Sequence, residues 1–243
     1  MSGLLINPYV MAAAGGAPLE YVGAASSTVL ASVATNTTLS LTGLTGGSDT
    51  APAEGDIVIV VFGIGSNGVA GAAAIVTAGY TSVVTVVAND TADLNLLVAY
   101  KVMGPTPDTE VIVGPTLDTG DGGAVIAYVW RNVNTSTPMD VAYQSTSGTN
   151  NGVPNPAAIT PTTAGAVVIA IGATAYTGAG SVSNGGDLSN FVAQSSTTGS
   201  YDCWMGIGSY AWTSGAFDPA AFGGGTTSGF ACWGAVTLAL RPA

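Results

Sequence analysis

The sequence predicts an all-β fold: an antiparallel β-sandwich, jelly-roll-like, with pseudo-repeated halves and an extended N-terminal arm. Three observations predict it. Apolar residues recur at every second position along much of the chain, the period of a half-buried strand. The apolar set is mostly Ala and Val and the polar set mostly Thr, Ser, Asn and Gly, a composition that favours strands and turns. Two segments are built alike, Gly122–Val133 (GGAVIAYVWRNV) and Gly234–Pro242 (GAVTLALRP). Each opens on glycine, runs through apolar residues and stops at an arginine, and Arg131 and Arg241 lie 110 residues apart (241 − 131 = 110). We read them as matching strands in the two halves of one sandwich.

In chain order, residues 1–18 form an arm and residues 19–243 a single β-sandwich domain. Leu4, Leu5, Ile6, Tyr9 and Val10 make the arm apolar, and Pro8 forbids a continuous helix through them. Such an arm docks onto its own domain or a neighbour, or forms an edge strand of its own sandwich. Alternation begins at Val22 and predicts strands over Val29–Val33 and Thr37–Leu44. Asp56–Gly63 (DIVIVVFG) is a near-continuous β-branched run, expected as a central strand buried on both faces. Gly65–Ala74 is expected as a loop. Strands follow at Tyr80–Ala88, Asp93–Met103 and Glu110–Val113, with Pro105 and Pro107 closing the second of these. The second half opens at Met139–Tyr143 and crosses a long Asn/Pro-rich connection, Thr149–Pro161. It continues with strands at Gly165–Ile171, Phe191–Gln194 and Tyr201–Trp212. An offset of 110 places Gly55 on Gly165, Val58-Ile59 on Val168-Ile169, Tyr100 on Tyr210 and Asp108 on Asp218.

Charge narrows the function classes. Three Lys and Arg stand against 14 Asp and Glu, a formal net charge of −11. Nucleic acid and anionic lipid surfaces both require basic patches, so neither is an expected partner. The chain has no histidine, which removes Ser-His-Asp and Cys-His catalysis and the common zinc sites. No stretch reaches the ~18 uninterrupted apolar residues of a membrane span. The N-terminus lacks a basic region and is interrupted at Asn7-Pro8, so it does not read as a signal peptide.

Candidate chemistry is sparse, and no catalytic residue, cofactor or metal is expected. Asp118 and Asp121 sit in a Gly/Asp-rich stretch faintly like a calcium loop. It lacks the closing Glu of an EF-hand loop and reads better as a turn. Asp108 and Asp218 follow matching strands, but each is flanked by Pro or Thr, where Asp caps its own backbone. Trp204, Tyr210, Trp212 and Trp233 cluster in the last third. Trp204, Tyr210 and Trp212 share one register, so one strand face is aromatic; packing within the core or between subunits is favoured over a contact platform. Lys101, Arg131 and Arg241 are the only cations, at or near strand ends, and are expected to pair with carboxylates or hold loops. Cys203 and Cys232 are expected as buried free thiols. If their strands formed a simple hairpin, the sulfurs would sit roughly 20 Å apart along it.

The order GDIVIVVFG, VAYKVM, YVWRNVNTSTPMD, AGAVVIAIG and a final Ala-Leu-Arg-Pro resembles the jelly-roll-like β-sandwich domains of tail and minor structural proteins of tailed bacteriophages, and of some bacterial surface proteins. The INPYVMA start is similar to the N-terminal lead-ins of phage tail proteins. The resemblance covers roughly residues 54–243. It departs where Trp130-Arg131-Asn132 replaces the more usual aromatic-Arg-Gly. It implies a virion component and does not by itself choose tail or head; with no histidine and no carboxylate constellation, the expectation is a non-enzymatic structural protein, tail-associated or receptor-binding first, with a capsid decoration protein as the alternative. The implied partners are other virion proteins through the arm, further copies of the chain and host-surface polysaccharide. A secreted carbohydrate-binding module also fits the fold.

Overall fold

The computed structural model describes residues 16–29, 36–66, 73–114, 121–149, 152–176, 181–196, 201–224 and 232–243. The described residues are all-β, in twelve strands: β1 Glu20–Val29, β2 Thr37–Ser40, β3 Ile57–Ser66, β4 Thr81–Ala88, β5 Asp93–Val102, β6 Glu110–Val113, β7 Gly122–Arg131, β8 Gln144–Thr149, β9 Val167–Tyr176, β10 Ser189–Ser195, β11 Asp202–Ala211 and β12 Cys232–Leu240. Two five-stranded antiparallel sheets stack face to face. Their orders are β1-β7-β3-β5-β4 and β10-β11-β9-β12-β8, and β2 and β6 form a small third sheet. β1 lies over β10, β3 over β9 and β11, and β4 over β8 and β12.

The arrangement is a β-sandwich, as expected, but its strand order does not bear out a jelly roll. In a jelly roll the chain passes back and forth between the sheets. Here β1, β3, β4, β5 and β7 build one sheet and β8 to β12 build the other. Numbered by rank within each sheet, and read from β1 in the first and from β8 in the second, both run first, fifth, second, fourth, third.

The strand faces explain which residues are buried. Along β3, Ile57, Ile59 and Val61 enter the inter-sheet core with Ile126 and Tyr128 of β7, Ile169 and Ile171 of β9, and Val236 and Leu238 of β12. Val58, Val60, Phe62 and Ile64 point the other way, under Leu39, Leu41, Leu44, Val111 and Val113. The β2–β6 layer therefore covers the outer face of the first sheet. This is why the DIVIVVFG run has no polar alternation: β3 is buried from end to end. The outer face of the second sheet is covered instead by segments carrying Val182, Leu188 and Phe222.

Several expected elements shift. The first strand is β1, which closes at Val29; the remainder of Val29–Val33 lies outside the described residues. In the expected loop Gly65–Ala74, Gly65 and Ser66 complete β3, and residues 67–72 lie outside the described residues. The second half opens on β8, a polar strand (QSTSGT) without apolar alternation, while Met139 makes an isolated bridge to Leu240. Cys203 and Cys232 are both free and buried, as expected, though their strands are not paired in the simple hairpin used to gauge their separation. β9 lies between β11 and β12, and both cysteines face Ala175 in register. They stand two strand spacings apart, roughly 10 Å, beyond disulfide reach.

Candidate functional site

All three cations of the chain gather at one end of the sandwich, where β5, β7 and β12 finish. Arg131 grips Asp56 in a two-pronged pair, Nε to Oδ1 at 2.9 Å and Nη2 to Oδ2 at 3.0 Å, and reaches Asp49 at 3.5 Å. Asp56 immediately precedes β3, is 1% exposed and also accepts the Ala53 amide at 2.8 Å. Arg241 donates from Nε to Asp140 Oδ1 at 3.2 Å, from Nη2 to the Asp140 carbonyl and from Nη1 to Thr137 Oγ1. Asp140 also accepts the Thr162 and Thr163 amides and both threonine hydroxyls. Burial alone would raise the Asp140 carboxyl. The bonds from Thr163, Thr162 and Arg241 outweigh it and hold the carboxyl at about 2. Lys101 Nζ bonds both Asp108 oxygens, at 2.9 and 2.7 Å, and the Ala78 carbonyl, and lies 5.7 Å from the Tyr80 ring centroid. Each cation is thus engaged with a carboxylate that anchors a loop.

Asn132, marked in the sequence only as a departure from the aromatic-Arg-Gly pattern, is a tie point of the fold. Its φ of 63° is left-handed, where glycine is the unstrained choice and Asn the next best. Its side-chain amide donates to the Pro18 carbonyl at 2.8 Å, and its own carbonyl accepts the Ala243 amide at 2.9 Å. One residue after β7 therefore holds the chain entering β1 and the chain leaving β12. The Asn that follows Trp130-Arg131, a residue type that tolerates the left-handed region, was the available signal.

The aromatic residues divide differently from expectation. Between the sheets, Tyr21, Tyr128 and Trp130 form a mutual cluster with ring centroids 4.8 to 6.1 Å apart. Trp204, Tyr210 and Trp212 share a face, but it is the outer face of the second sheet. Trp204 is fully buried there. Tyr210 stacks on Phe217 at 3.8 Å and 6°, and Trp212 donates Nε1 to the Gly215 carbonyl; all three of these rings remain half-exposed. Trp233, also half-exposed, lies against Gly148 and Gly152, where a Cβ would collide with its indole.

The remaining candidates do not converge. Asp108 is bound to Lys101 beyond the first sheet, while exposed Asp218 belongs to the loop over the second sheet, with the sandwich between them. Asp118 lies outside the described residues. Asp121 is buried at the end of the sandwich remote from the cations, where it bridges to Tyr201. Among the described residues, no three His, Cys, Asp or Glu side chains are placed to hold a metal ion. Leu4, Leu5, Ile6, Tyr9 and Val10 lie outside the described residues. Burial pushes both thiols up, that of Cys232 to about 12, and its Sγ donates to the Ala92 carbonyl at 2.9 Å.

The fold and these contacts define an all-β sandwich whose cations tie loops to strand ends. No protein-family profile, curated protein or solved structure matches the chain.

Proposed function

We propose that the chain is a non-enzymatic structural component of a tailed-phage particle, tail-associated or receptor-binding. In this reading residues 19–243 act as one domain, and the preceding arm is its attachment to other virion proteins. Capsid decoration is the alternative within the same class. The sequence resemblance motivates the reading, and the Asn132 clamp is the structural observation that supports it. Residues 1–15 leave from Gly16, whose backbone lies against the Ala243 carbonyl, and Pro18 is pinned two residues later. An apolar arm leaving a fixed point suits attachment to a neighbouring protein.

Deleting residues 1–15 spares the Pro18 bond, so the truncated protein is expected to fold with its thermal midpoint unchanged yet to be lost from purified particles. Full incorporation of the truncated protein would rule out the arm as the attachment. Imaging particles with the protein labelled separates head from tail, and absence of label from particles sinks the virion reading itself. The half-exposed Tyr210, Trp212 and Phe217 favour a second role, contact with host-surface polysaccharide. Trp212→Ala is then expected to reduce retention on that polysaccharide without loss of fold; unchanged retention removes this role.

A further inference from the structure

We propose that Tyr210, Trp212 and Phe217 form a stacking site for an uncharged glycan. This rests on the reading of those rings as a polysaccharide contact, and adds what creates the site and which charge its ligand carries.

The two halves of the chain supply an internal comparison. Gly55 and Gly165 take the same left-handed backbone, with φ of 84° and 82°. The residue after each, Asp56 or Ala166, donates its amide to the carbonyl three residues back, Ala53 or Thr163. Its own carbonyl accepts the amide of Met103 in the first half and of Trp212 in the second. In the paired strands Val58 lies opposite Lys101, and Val168 opposite Tyr210. Lys101 therefore stands where Tyr210 does, and Met103 where Trp212 does. Seven residues on, Lys101 meets Asp108 and Tyr210 meets Phe217. The first half closes this corner with an ion pair and a methionine 2% exposed. The second presents three half-exposed rings at the same places. The backbone accepts either set, so the fold does not require the rings. Apolar surface left in water without a structural need marks a contact site.

Size and charge select the occupant. Three half-exposed rings offer roughly 300 Å², well short of the ~800 Å² per partner of a stable protein interface. That suits a sugar ring, whose C–H face stacks on an aromatic face while its hydroxyls bond polar neighbours. Exposed Thr213, Ser214 and Asp218 adjoin the rings along the chain and supply such groups. Trp212 Nε1 is tied to the Gly215 carbonyl, so the indole is held in place before any ligand arrives. An acidic glycan would meet the Asp218 carboxylate on a chain of net charge −11 whose three cations are all paired.

The test is affinity electrophoresis of the full chain in gels carrying dextran, mannan or galactomannan as neutral probes and alginate or hyaluronan as acidic ones. At least one neutral probe is expected to retard the protein, and neither acidic probe to do so. Tyr210→Lys with Phe217→Asp installs the first half's ion pair, and is expected to keep the fold while weakening retardation about tenfold. If that variant misfolds, Trp212→Ala carries the same test. Retardation by a neutral probe that neither variant weakens overturns the proposal. Retardation by an acidic probe that Trp212→Ala abolishes also overturns it, yet leaves these rings a polysaccharide contact. No retardation by any probe removes both, without touching the virion reading, which the labelled particles test.

Discussion

Removing the Arg131 side chain would leave Asp56, a carboxylate 1% exposed, with the Ala53 amide as its remaining described hydrogen bond. Truncating one partner of a buried pair strands the other. Arg131 is itself partly exposed, so Arg131→Ala is expected to cost about 2–3 kcal/mol in chemical denaturation, less than a fully buried pair. Arg241→Ala acts on Asp140 in the same way, and losses below about 0.5 kcal/mol for both would argue against a structural role. Asp140 also sets an acid limit. Its carboxyl is held at about 2 in the fold, against an ordinary 3.8. The depressed value means the contribution is complete above pH 4 and is lost as pH falls through 2. It amounts to about 2 kcal/mol. Asp140→Asn should flatten the stability profile between pH 4 and 2, and an unchanged profile would show that other carboxylates govern acid unfolding. Asn132 offers an ordering rather than a magnitude. Asn132→Gly relieves the left-handed backbone but loses the Pro18 bond, whereas Asn132→Ala loses the bond and keeps the strain. The alanine variant should therefore be the less stable by about 1 kcal/mol, measured by urea midpoint.

At the scale of the element, both sheets bury two faces, and the outer faces depend on thin covers. Gly172 on β9 shows how close these lie: a Cβ there would meet the Phe222 ring and the Pro154 Cβ at 2.7 Å. Gly63 on β3 is equally tight on the inner side, against Cys203 and Met205. Trp204 is fully buried in the outer cluster that includes Phe222, so Trp204→Ala should cost about 3–5 kcal/mol. Trp212→Ala, at a half-exposed ring, should cost less than about 1.5 kcal/mol. Equal losses would mean that the outer rings form one core rather than a buried anchor with a wet rim. The same logic explains why β8 was hard to see in advance. A polar edge strand such as QSTSGT takes its conformation from β12, its only neighbour in the sheet among the described residues, and not from its own alternation.

For the whole molecule, the balance of charge explains the division of labour between its ends. Every cation sits where β5, β7 and β12 finish, while Asp93, Asp121 and Asp202 are buried at the other end. The sequence by itself determined the all-β class, the positions of most strands and the burial of β3 on both faces. Alternation, β-branching and glycine placement act locally and leave their mark residue by residue. It also pointed to Arg131 and Arg241 as a pair of like function, because each ends a strand of the same construction. Only the tertiary structure decided which strands are neighbours. β9, not β11, lies beside β12, so the two thiols are separated across a strand instead of along a hairpin. Tertiary structure also assigned the carboxylate partners, since Asp56 and Asp140 reach their arginines over 75 and 101 residues of chain. It placed the last-third aromatics on an outer face and joined Pro18 to Asn132 and Ala243. The physical reason is common to all of these: periodicity fixes which face a side chain takes, while sheet order and long-range pairing arise from burying two halves of the chain against each other.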